Sequence, residues 1–403
     1  MQIDGLKPLK QVRPSSIGEL GQIIRHVQAE NLGIYPFGGG TMLHLGLPPQ
    51  KPGFAVDMTA MGAVIDYPAR DMTITVQAGI RIADLQNTLA AENQWLPIDV
   101  PQASQATLGG AIAANVSGPR RLGFGTLRDY VIGVSFMTDE GTEAKAGGRV
   151  VKNVAGYDLM KLHTGAFGTL GVLTQVTLKV RPRPEASALL RLSFGSPAPL
   201  PSEERGDKLR TALDSIHASA TRPVAVDVVH AGGDWNIFVA FEENQEAVRW
   251  QQEQLGRELT VVSKMEVLDG ESANAAWKHL TESSLFDHPG VSFKASLLPS
   301  AVAEFLIFAS SLGATRLHSH AGSGIVHGHI EGGLTLDAAA SMLKELRSRA
   351  VAAQGNLIVA RCPIAWKREL PIWGEPRGDW ALMKAVKKRL DAQDIFNPGR
   401  FVV

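Results

Sequence analysis

Cysteine is nearly absent: Cys362 is the one thiol in 403 residues. That excludes an internal disulfide, and any Cys-ligated iron–sulfur cluster or zinc ribbon built from this chain alone. The composition suits a reducing compartment. Neither sign of charge is in excess, with 40 Lys and Arg against 40 Asp and Glu, so no basic field exists to draw a nucleic acid. No segment approaches the roughly 20 apolar residues that span a bilayer. The first residues carry Asp4 and Lys7 in place of an apolar signal core. A soluble, cytoplasmic protein is expected. No Gly-Lys pair occurs, which removes a P-loop, and there is no internal repeat, heptad run or low-complexity tract.

What the chain does have is length and glycine. Its 403 residues exceed what one hydrophobic core usually serves, so two domains are expected. Ser16 and Glu19 read as a capping box, and Leu20, Ile23, Ile24 and Val27 predict an apolar helical face that Gly33 stops. Strands are predicted at 34–37, 55–58, 73–77, 131–137 and 172–180, with helices over 82–93 and from Leu108 onward. Proline-rich 181–186 and Pro/Ser-rich 196–202 mark a boundary near Pro184. Beyond it, strands at 188–194, 224–229, 235–242, 260–267, 291–297, 316–329 and 357–361 alternate with helices over 205–217, 244–257, 271–284, 301–312 and 336–353. Thr335 caps the last of these helices, and a helical tail follows at 379–390. The class is α+β, the second part a layered α+β domain.

The loops carry the chemical signal. Val151 to Leu159 (VKNVAGYDL) runs on through Gly165, Gly168 and Gly171 into the apolar run 172–180. Glycines at three-residue spacing before a β-branched strand suggest backbone that closely approaches something flat and polar. A cofactor suits that better than a substrate alone. Gly38-Gly39-Gly40-Thr41 exposes N–H groups able to converge on phosphate, or else forms a plain tight turn. It is no Rossmann fingerprint, since the third glycine of that pattern falls on Leu43. Small residues from Pro101 to Gly118 allow a helix N-terminus to press on a pyrophosphate, or another helix to pack closely. Arg120 and Arg121 follow, suited to a phosphate or a substrate carboxylate. Tyr157 and Asp158 read as a buried hydrogen-bonded anchor.

Taken together, PFGGGT at 36–41, VDMTAM at 56–61, VQAG at 76–79, ATLGGAIAANVSGPRR at 106–121, GTLRDYVIG at 125–133, VKNVAGYDLMKL at 151–162 and GAFGTLGVLTQVTLKVRPRP at 165–184 resemble the FAD-binding domain of the vanillyl-alcohol oxidase/p-cresol methylhydroxylase (PCMH-type) superfamily. Within it, GPRR, RDYVIG, VVKNVAGYDL and the terminal IFNPGRF look like the FAD-binding accessory subunit of bacterial glycolate oxidase, while the middle from about 190 to 315 is non-diagnostic. The resemblance implies a two-subdomain PCMH-type FAD-binding domain over 1–184, a ferredoxin-like α+β cap over 185–375 and a segment, 376–403, that returns to the FAD domain. It implies that Gly38, Gly39, Gly40 and Thr41 hold the FAD pyrophosphate, with Pro36 and Met42 beside them. Pro101, Thr107, Gly109, Gly110, Asn115, Gly118 and Arg120 would line the cofactor channel, and Gly171 and Val172 would meet the adenine side. Asn397 and Arg400 correspond to the returning segment. No histidine stands in the triple-glycine loop, His44 falling beyond it, so non-covalent FAD is expected.

His318-Ser-His320 and His327-Gly-His329 are two His-x-His pairs, and a strand presents both rings of such a pair on one face. Four imidazoles suit acid–base chemistry or a divalent metal. HAGSGIVH at 320–327 resembles the HxGDGNxH strand of related flavin-dependent 2-hydroxyacid dehydrogenases, where a histidine polarises or deprotonates the substrate hydroxyl. Ser323 stands where those enzymes have Asp, Ile325 where they have Asn, and Gly355-Asn356-Leu357 where Glu-His-Gly is expected. These departures argue against a metal. The expected catalytic set is His320, His327 and Arg361, the last as a clamp for an α-hydroxy carboxylate, with Lys367 and Arg368 a solvated face. The resemblance implies oxidation of glycolate or a related 2-hydroxy acid, with electrons passed from FAD to a homologous FAD-containing catalytic subunit and an iron–sulfur subunit. Membrane association would be peripheral, through that complex. The departures leave open a flavin-binding scaffold or electron relay, and a self-sufficient D-lactate-type dehydrogenase.

Overall fold

The structure is a computed structural model that describes residues 2–148, 157–194, 202–231, 233–283, 285 and 289–402. The Val151–Gly156 part of the glycine-rich stretch lies outside them. The chain is of mixed α and β structure and divides into two compact units, Met1–Ser117 with Gly125–Arg183 and Glu375–Val403, and Gly118–Phe124 with Pro184–Gly374. No helix among the described residues is long and apolar enough to cross a membrane.

In the first unit, the helix Ile17–Ala29 begins at Ser16, whose hydroxyl accepts from the Glu19 amide at 3.2 Å. The Glu19 carboxylate returns to the amide of Ser15 rather than Ser16, at 2.8 Å. The helix stops before Gly33: Asn31 takes the left-handed φ of 50°, which asparagine tolerates, and Gly33 instead opens the strand Gly33–Phe37. That strand pairs in parallel with Gly53–Asp57, which also pairs with Lys10–Val12. A separate antiparallel sheet has the order Val64–Asp66, Thr73–Gln77, Val172–Lys179, Val131–Met137, Glu143–Gly147. Leu20, Ile24 and Val27 pack on Ile34 and Val56, joined by Met137 and Val172 and by Ile395 and Phe396 from the other end of the chain. The Ile34 amide donates to the Ile395 carbonyl at 2.6 Å, and the Asn397 amide donates to the Ile34 carbonyl at 2.8 Å.

Buried charges hold that end in place. Lys387, in the helix Trp380–Leu390, donates to the carbonyls of Thr169 at 2.8 Å and Phe396 at 3.0 Å and pairs with Asp391. The Asp391 carboxylate, 1% exposed, accepts from the amides of Ile395 at 2.9 Å and Phe396 at 2.8 Å. Two sequence expectations fail nearby and elsewhere: Tyr157 is 89% exposed and therefore anchors nothing in a core, and Lys367 is buried rather than solvated.

Among the described residues the second unit forms one antiparallel sheet of eight strands. Its first half runs strand Ala186–Ser193, helix Ser202–Ala218, strands Ala225–Ala231 and Asp234–Glu243, helix Gln245–Glu258, strand Lys264–Leu268. Numbered within the half, these strands lie in the order 4-1-3-2. The second half repeats the same sequence of elements with Gly290–Ser296, Val302–Ser311, Arg316–His320, Ile325–Glu331, Leu336–Ala352 and Asn356–Arg361, in the order 2-3-1-4. The two halves meet where their second strands, Ala225–Ala231 and Arg316–His320, pair antiparallel, the arrangement an approximate twofold produces. A structural repeat thus exists where the sequence displays none, because the motif requires a pattern of apolar positions and not shared residues. Phe293 turns toward Phe305 of the helix Val302–Ser311, so the neighbouring residues of its strand face the opposite side of the sheet. On that side the helix Gly270–Glu282 packs Trp277 and Leu280 over Ala225, Val229 and Leu189.

Removing the Asp391 carboxylate leaves the Lys387 ammonium with the partly exposed Asp394 carboxylate at 3.0 Å and frees two buried amides, so Asp391→Ala is expected to destabilise the protein by about 2 kcal/mol. Denaturant titration monitored by circular dichroism checks this; a loss under about 1 kcal/mol, the worth of an exposed pair, would refute the role.

Candidate functional site

The triple-glycine loop is built by close approach of backbone. A Cβ on Gly38 would lie 1.9 Å from the Thr107 hydroxyl, and one on Gly39 would lie 1.9 Å from the Gln105 carbonyl oxygen. Gly40 adopts a φ of +73°, where glycine alone is unstrained. The first two glycines are thus required by the loop lying on the 105–107 turn, whatever else it binds. Thr107 also caps the helix Leu108–Ala114, accepting from the Gly110 amide at 3.4 Å.

Two adjoining clefts open here, counted out to bulk solvent. One, of about 530 Å³, is bordered by Gly38, Met58, Gly109, His163, Gly171 and Val172. The other, of about 710 Å³, is bordered by Pro36, the loop Gly38 to Met42, Thr107, Gly110, Asn397 and Arg400. Two buried polar atoms, Asn115 Oδ1 and His163 Nε2, have no hydrogen-bond partner. Burial pushes the His163 imidazole down to about 4, so it is neutral, and it packs on the Phe136 ring at 4.1 Å. Asn115 ends its helix with a left-handed φ of 49°. A cleft of this size, walled by glycine backbone, opened by a helix N-terminus and bordered by His163 with its unsatisfied Nε2, fits a large planar ligand with polar edges and a phosphate. FAD has that chemistry.

Five expected cofactor residues are placed differently. Asn115 borders neither cleft. Pro101 is buried in its turn and borders neither cleft. Gly118 and Arg120 belong to the second unit. There the Arg120 Nε and Nη2 donate to Glu242 at 2.9 and 2.7 Å, and the guanidinium lies 3.7 Å over the Trp277 ring. Its planar fork is occupied by that carboxylate. Arg400 borders the wider cleft but spends its donors on Asp4 at 2.7 Å and on the carbonyls of Leu47, Leu43 and Leu45 at 2.8, 2.5 and 2.7 Å. It fastens the loop behind the glycines. Asn397 donates to the Phe167 carbonyl at 2.7 Å.

In the second unit the sheet brings the histidines together on the face opposite Phe305. His318 stands across from His327, His327 across from Lys294, and His320 across from Asp227. His318 Nε2 lies 2.8 Å from the Asp227 carboxylate and His320 Nδ1 lies 3.0 Å from it. The Ser283 hydroxyl meets His318 Nδ1 at 2.8 Å. The His320 and His327 rings are 5.7 Å apart. Burial holds the His327 imidazole well below its ordinary range, with His320, Lys294 and His318 adding to it. Burial, aided by the Arg121 charge, brings the Lys294 ammonium down to about 8. At Asp227 burial alone would raise the carboxyl, and the attraction of His320 with hydrogen bonds from both imidazoles outweighs it, holding the group below the usual range. The fourth histidine, His329, is turned to Ser292 at 3.0 Å, and Ser292 is also the register partner of Arg361.

Asp227, Lys294 and His163 are absent from the sequence-based set. Their signal was available: Asp227 and Lys294 are lone charges inside the apolar strands VAVDVV and VSFKAS, which a buried strand carries only when it has partners or a function.

Comparison with known proteins agrees with this geometry. An FAD binding domain family matches residues 8–147. Glycolate oxidase subunit GlcE of Escherichia coli K12 is 31% identical over 263 residues, which cover 64% of this chain and 67% of that protein. Glycolate oxidase subunit GlcD of Bacillus subtilis is 32% identical over 179 residues, 44% of this chain and 38% of GlcD. D-2-hydroxyglutarate dehydrogenase of Xanthomonas citri is 30% identical over 189 residues, 47% of this chain and 40% of that enzyme, so the match spans about two fifths of these last two relatives. A solved structure of alkyldihydroxyacetonephosphate synthase shares the fold, with a TM-score of 0.67 at 17% identity over 97% of this chain and 77% of its own.

The His163 site carries its own pH signature. Unfolded, the ring titrates near 6.5, and folded near 4, so between these values the unfolded state binds more protons and stability falls as pH falls. The expected loss is about 3 kcal/mol across that window. Melting curves from pH 7 to 4 should show that part of the acid sensitivity vanish in His163→Phe.

Proposed function

The chain belongs to the PCMH-type FAD-binding superfamily, among the FAD-binding accessory subunits of bacterial glycolate oxidase, and on that premise we propose that it serves a complex oxidising glycolate or a closely related 2-hydroxy acid to the 2-oxo acid. The observation that carries this reading is the single sheet face on which Asp227, His318, His320, His327 and Lys294 converge. Non-covalent FAD, held by the Gly38–Met42 loop, Thr107, Gly109, Gly110, Gly171 and Val172, supplies the hydride acceptor.

The remaining work falls to side chains of the second unit. A 2-hydroxy acid presents a carboxylate and, one carbon away, a hydroxyl that must lose its proton. Lys294, with the Arg121 charge near it, offers the positive end for the carboxylate, and Arg361 at the edge of the same sheet adds a forked donor set. The His327 imidazole, which burial holds in its neutral form, or that of His320 accepts the hydroxyl proton. Burial around these groups strengthens each contact. The twice-repeated order of strands and helices supports reading this unit as a pair of ferredoxin-like motifs forming the cap over residues 185–375. With Cys362 as its one thiol, the chain has no ligands for an iron–sulfur cluster of its own, which favours onward electron transfer to a homologous FAD subunit and an iron–sulfur subunit. Attachment to a membrane would be peripheral, through them.

Ser323 and Ile325, where related dehydrogenases carry Asp and Asn, favour a second reading in which the chain binds flavin but leaves the acid to a partner. An anaerobic visible spectrum of the chain purified alone separates the two. Bleaching of bound flavin by glycolate or D-lactate supports catalysis here, and flavin that responds only after partner subunits are added supports the scaffold or relay. Purification without flavin would sink both.

Lys294→Met should raise KM about 10- to 100-fold, the loss of one charge-assisted hydrogen bond, with flavin absorbance unchanged. The ammonium is charged below about 8, so in the wild type KM should climb about tenfold per pH unit above that value. A flat KM from pH 7 to 10 would remove Lys294 from substrate binding.

A further inference from the structure

The hydrogen bonds around Asp227 dictate which nitrogen of each histidine carries a proton. An ionised carboxylate has acceptors only, so any ring nitrogen directed at it must be N–H. His318 points Nε2 at Asp227 at 2.8 Å and His320 points Nδ1 at it, at 3.0 and 3.2 Å from the two oxygens. His318, neutral because burial outweighs the pull of Asp227, must then present a bare Nδ1, and the Ser283 hydroxyl 2.8 Å away is placed to donate to it. The acceptor-only carboxylate likewise requires His320 Nδ1 to be N–H, which in the neutral ring leaves Nε2 with the lone pair. Among the described residues nothing hydrogen-bonds to that Nε2.

We propose that Asp227 is a positioning residue that locks His320 in the Nδ1–H form and orients its bare Nε2 as the proton acceptor of the sheet face, while a second bond fixes His318 and ties the arrangement to Ser283. The inference rests on the reading that this face receives the hydroxy acid, but its central claim concerns protonation and orientation and can be tested without turnover. Asp227 can act on both rings because it lies at the seam, on Ala225–Ala231, while His318 and His320 lie on Arg316–His320 across from it. Burial excludes water that would otherwise compete for the carboxylate: Asp227 is 0%, His318 1% and His320 2% exposed.

Every charged or titratable group facing the cluster bears on this assignment. From its own sheet these are His327 and Lys294, with His329 turned away to Ser292 and Arg361 opposite Ser292. From the helix Gly270–Glu282 it is His279, which acts on His318, and from the short helix Arg121–Phe124 it is Arg121, which acts on Lys294. None of them supplies a second carboxylate, so among the described residues Asp227 is the negative partner for both rings. A neutral amide in its place has one acceptor and one donor end. Asp227→Asn therefore keeps the volume and forces one of the two rings to surrender its bond or change tautomer.

The test uses the full-length FAD-loaded chain with 15N-labelled histidine, the His320 resonances being assigned by their loss in His320→Gln. The expected wild-type spectrum of the neutral His320 ring has a protonated Nδ1 and an unprotonated Nε2. Asp227→Asn should shift His320 toward the other tautomer or to an averaged signal, with the FAD absorbance and melting cooperativity retained. If the chain or its complex turns over a 2-hydroxy acid, the same variant should lose kcat by about 100-fold or more while KM changes less than about threefold. A His320 protonated on Nε2 in the wild type would overturn the proposal, and so would an Asp227→Asn spectrum indistinguishable from wild type. Stoichiometric zinc or iron in the purified holoprotein that disappears in Asp227→Asn would also overturn it, by making the cluster a metal site. Failure of any acid to bleach the flavin or be turned over would count against the functional reading alone, since the nitrogen signals are read in its absence.

Discussion

The first unit depends on returning the far end of the chain to its beginning, and a pair of buried charges makes that return specific. Ile395 and Phe396 complete the core begun by Leu20, Ile24 and Ile34, a hydrophobic term worth about 2 kcal/mol or more for each side chain. Apolar burial alone would tolerate several registers. Asp391 selects one by accepting both amides of that pair, while Lys387 answers it and grips the carbonyl of Thr169. The same return places Asn397 against Phe167 and Arg400 behind the triple-glycine loop, so the cleft beside that loop is shaped by residues separated by more than 350 positions.

In the second unit the equivalent constraint is the seam between two copies of one motif. Each copy covers one side of its strands with two helices and leaves the other side less covered. Antiparallel pairing of the two second strands makes those remaining sides continuous. A carboxylate from one copy then meets two imidazoles from the other, an arrangement neither copy contains by itself. Like charges or unpaired polar groups at such a seam would be costly in a buried sheet. Asp227 meets the need through one carboxylate with four acceptor sites.

The protein separates two demands that compete. Close approach of backbone to backbone in the first unit is met by glycines whose Cβ atoms would collide with the 105–107 turn. Side chains with shifted pKa values lie on the sheet of the second unit, whose register holds His318, His327 and Lys294 in one row. Arg120 and Arg121, adjacent in sequence, illustrate the sorting. Arg120 closes on Glu242 and Trp277, whereas Arg121 contributes its charge at Lys294.

Much of the cofactor unit was legible in the residues themselves, because glycine spacing, small-residue runs and β-branched strands are local records of backbone geometry. Gly38 to Thr41 and the small-residue run around Thr107, Gly109 and Gly110 could be singled out from such records, their assignment to a cofactor resting on the family resemblance, and so could the pairing of His318 with His320 on one strand face, since alternation is a property of any strand. Other features left no local trace. The duplicated motif shares a pattern of burial and not an alignment of residues. The destinations of Arg120 and Arg400 were set by partners far away in the chain, Glu242 for the one and Asp4 for the other. Asp227 reads as a single acid in an apolar strand until strand pairing across about 90 residues brings it to His318 and His320. The amino-acid sequence by itself determined the kinds of element, the glycine-built cradle and the stock of imidazoles. Only the tertiary structure decided which of those imidazoles share a carboxylate, since hydrogen bonds depend on ångström-scale distances that register and packing set and that no local pattern encodes.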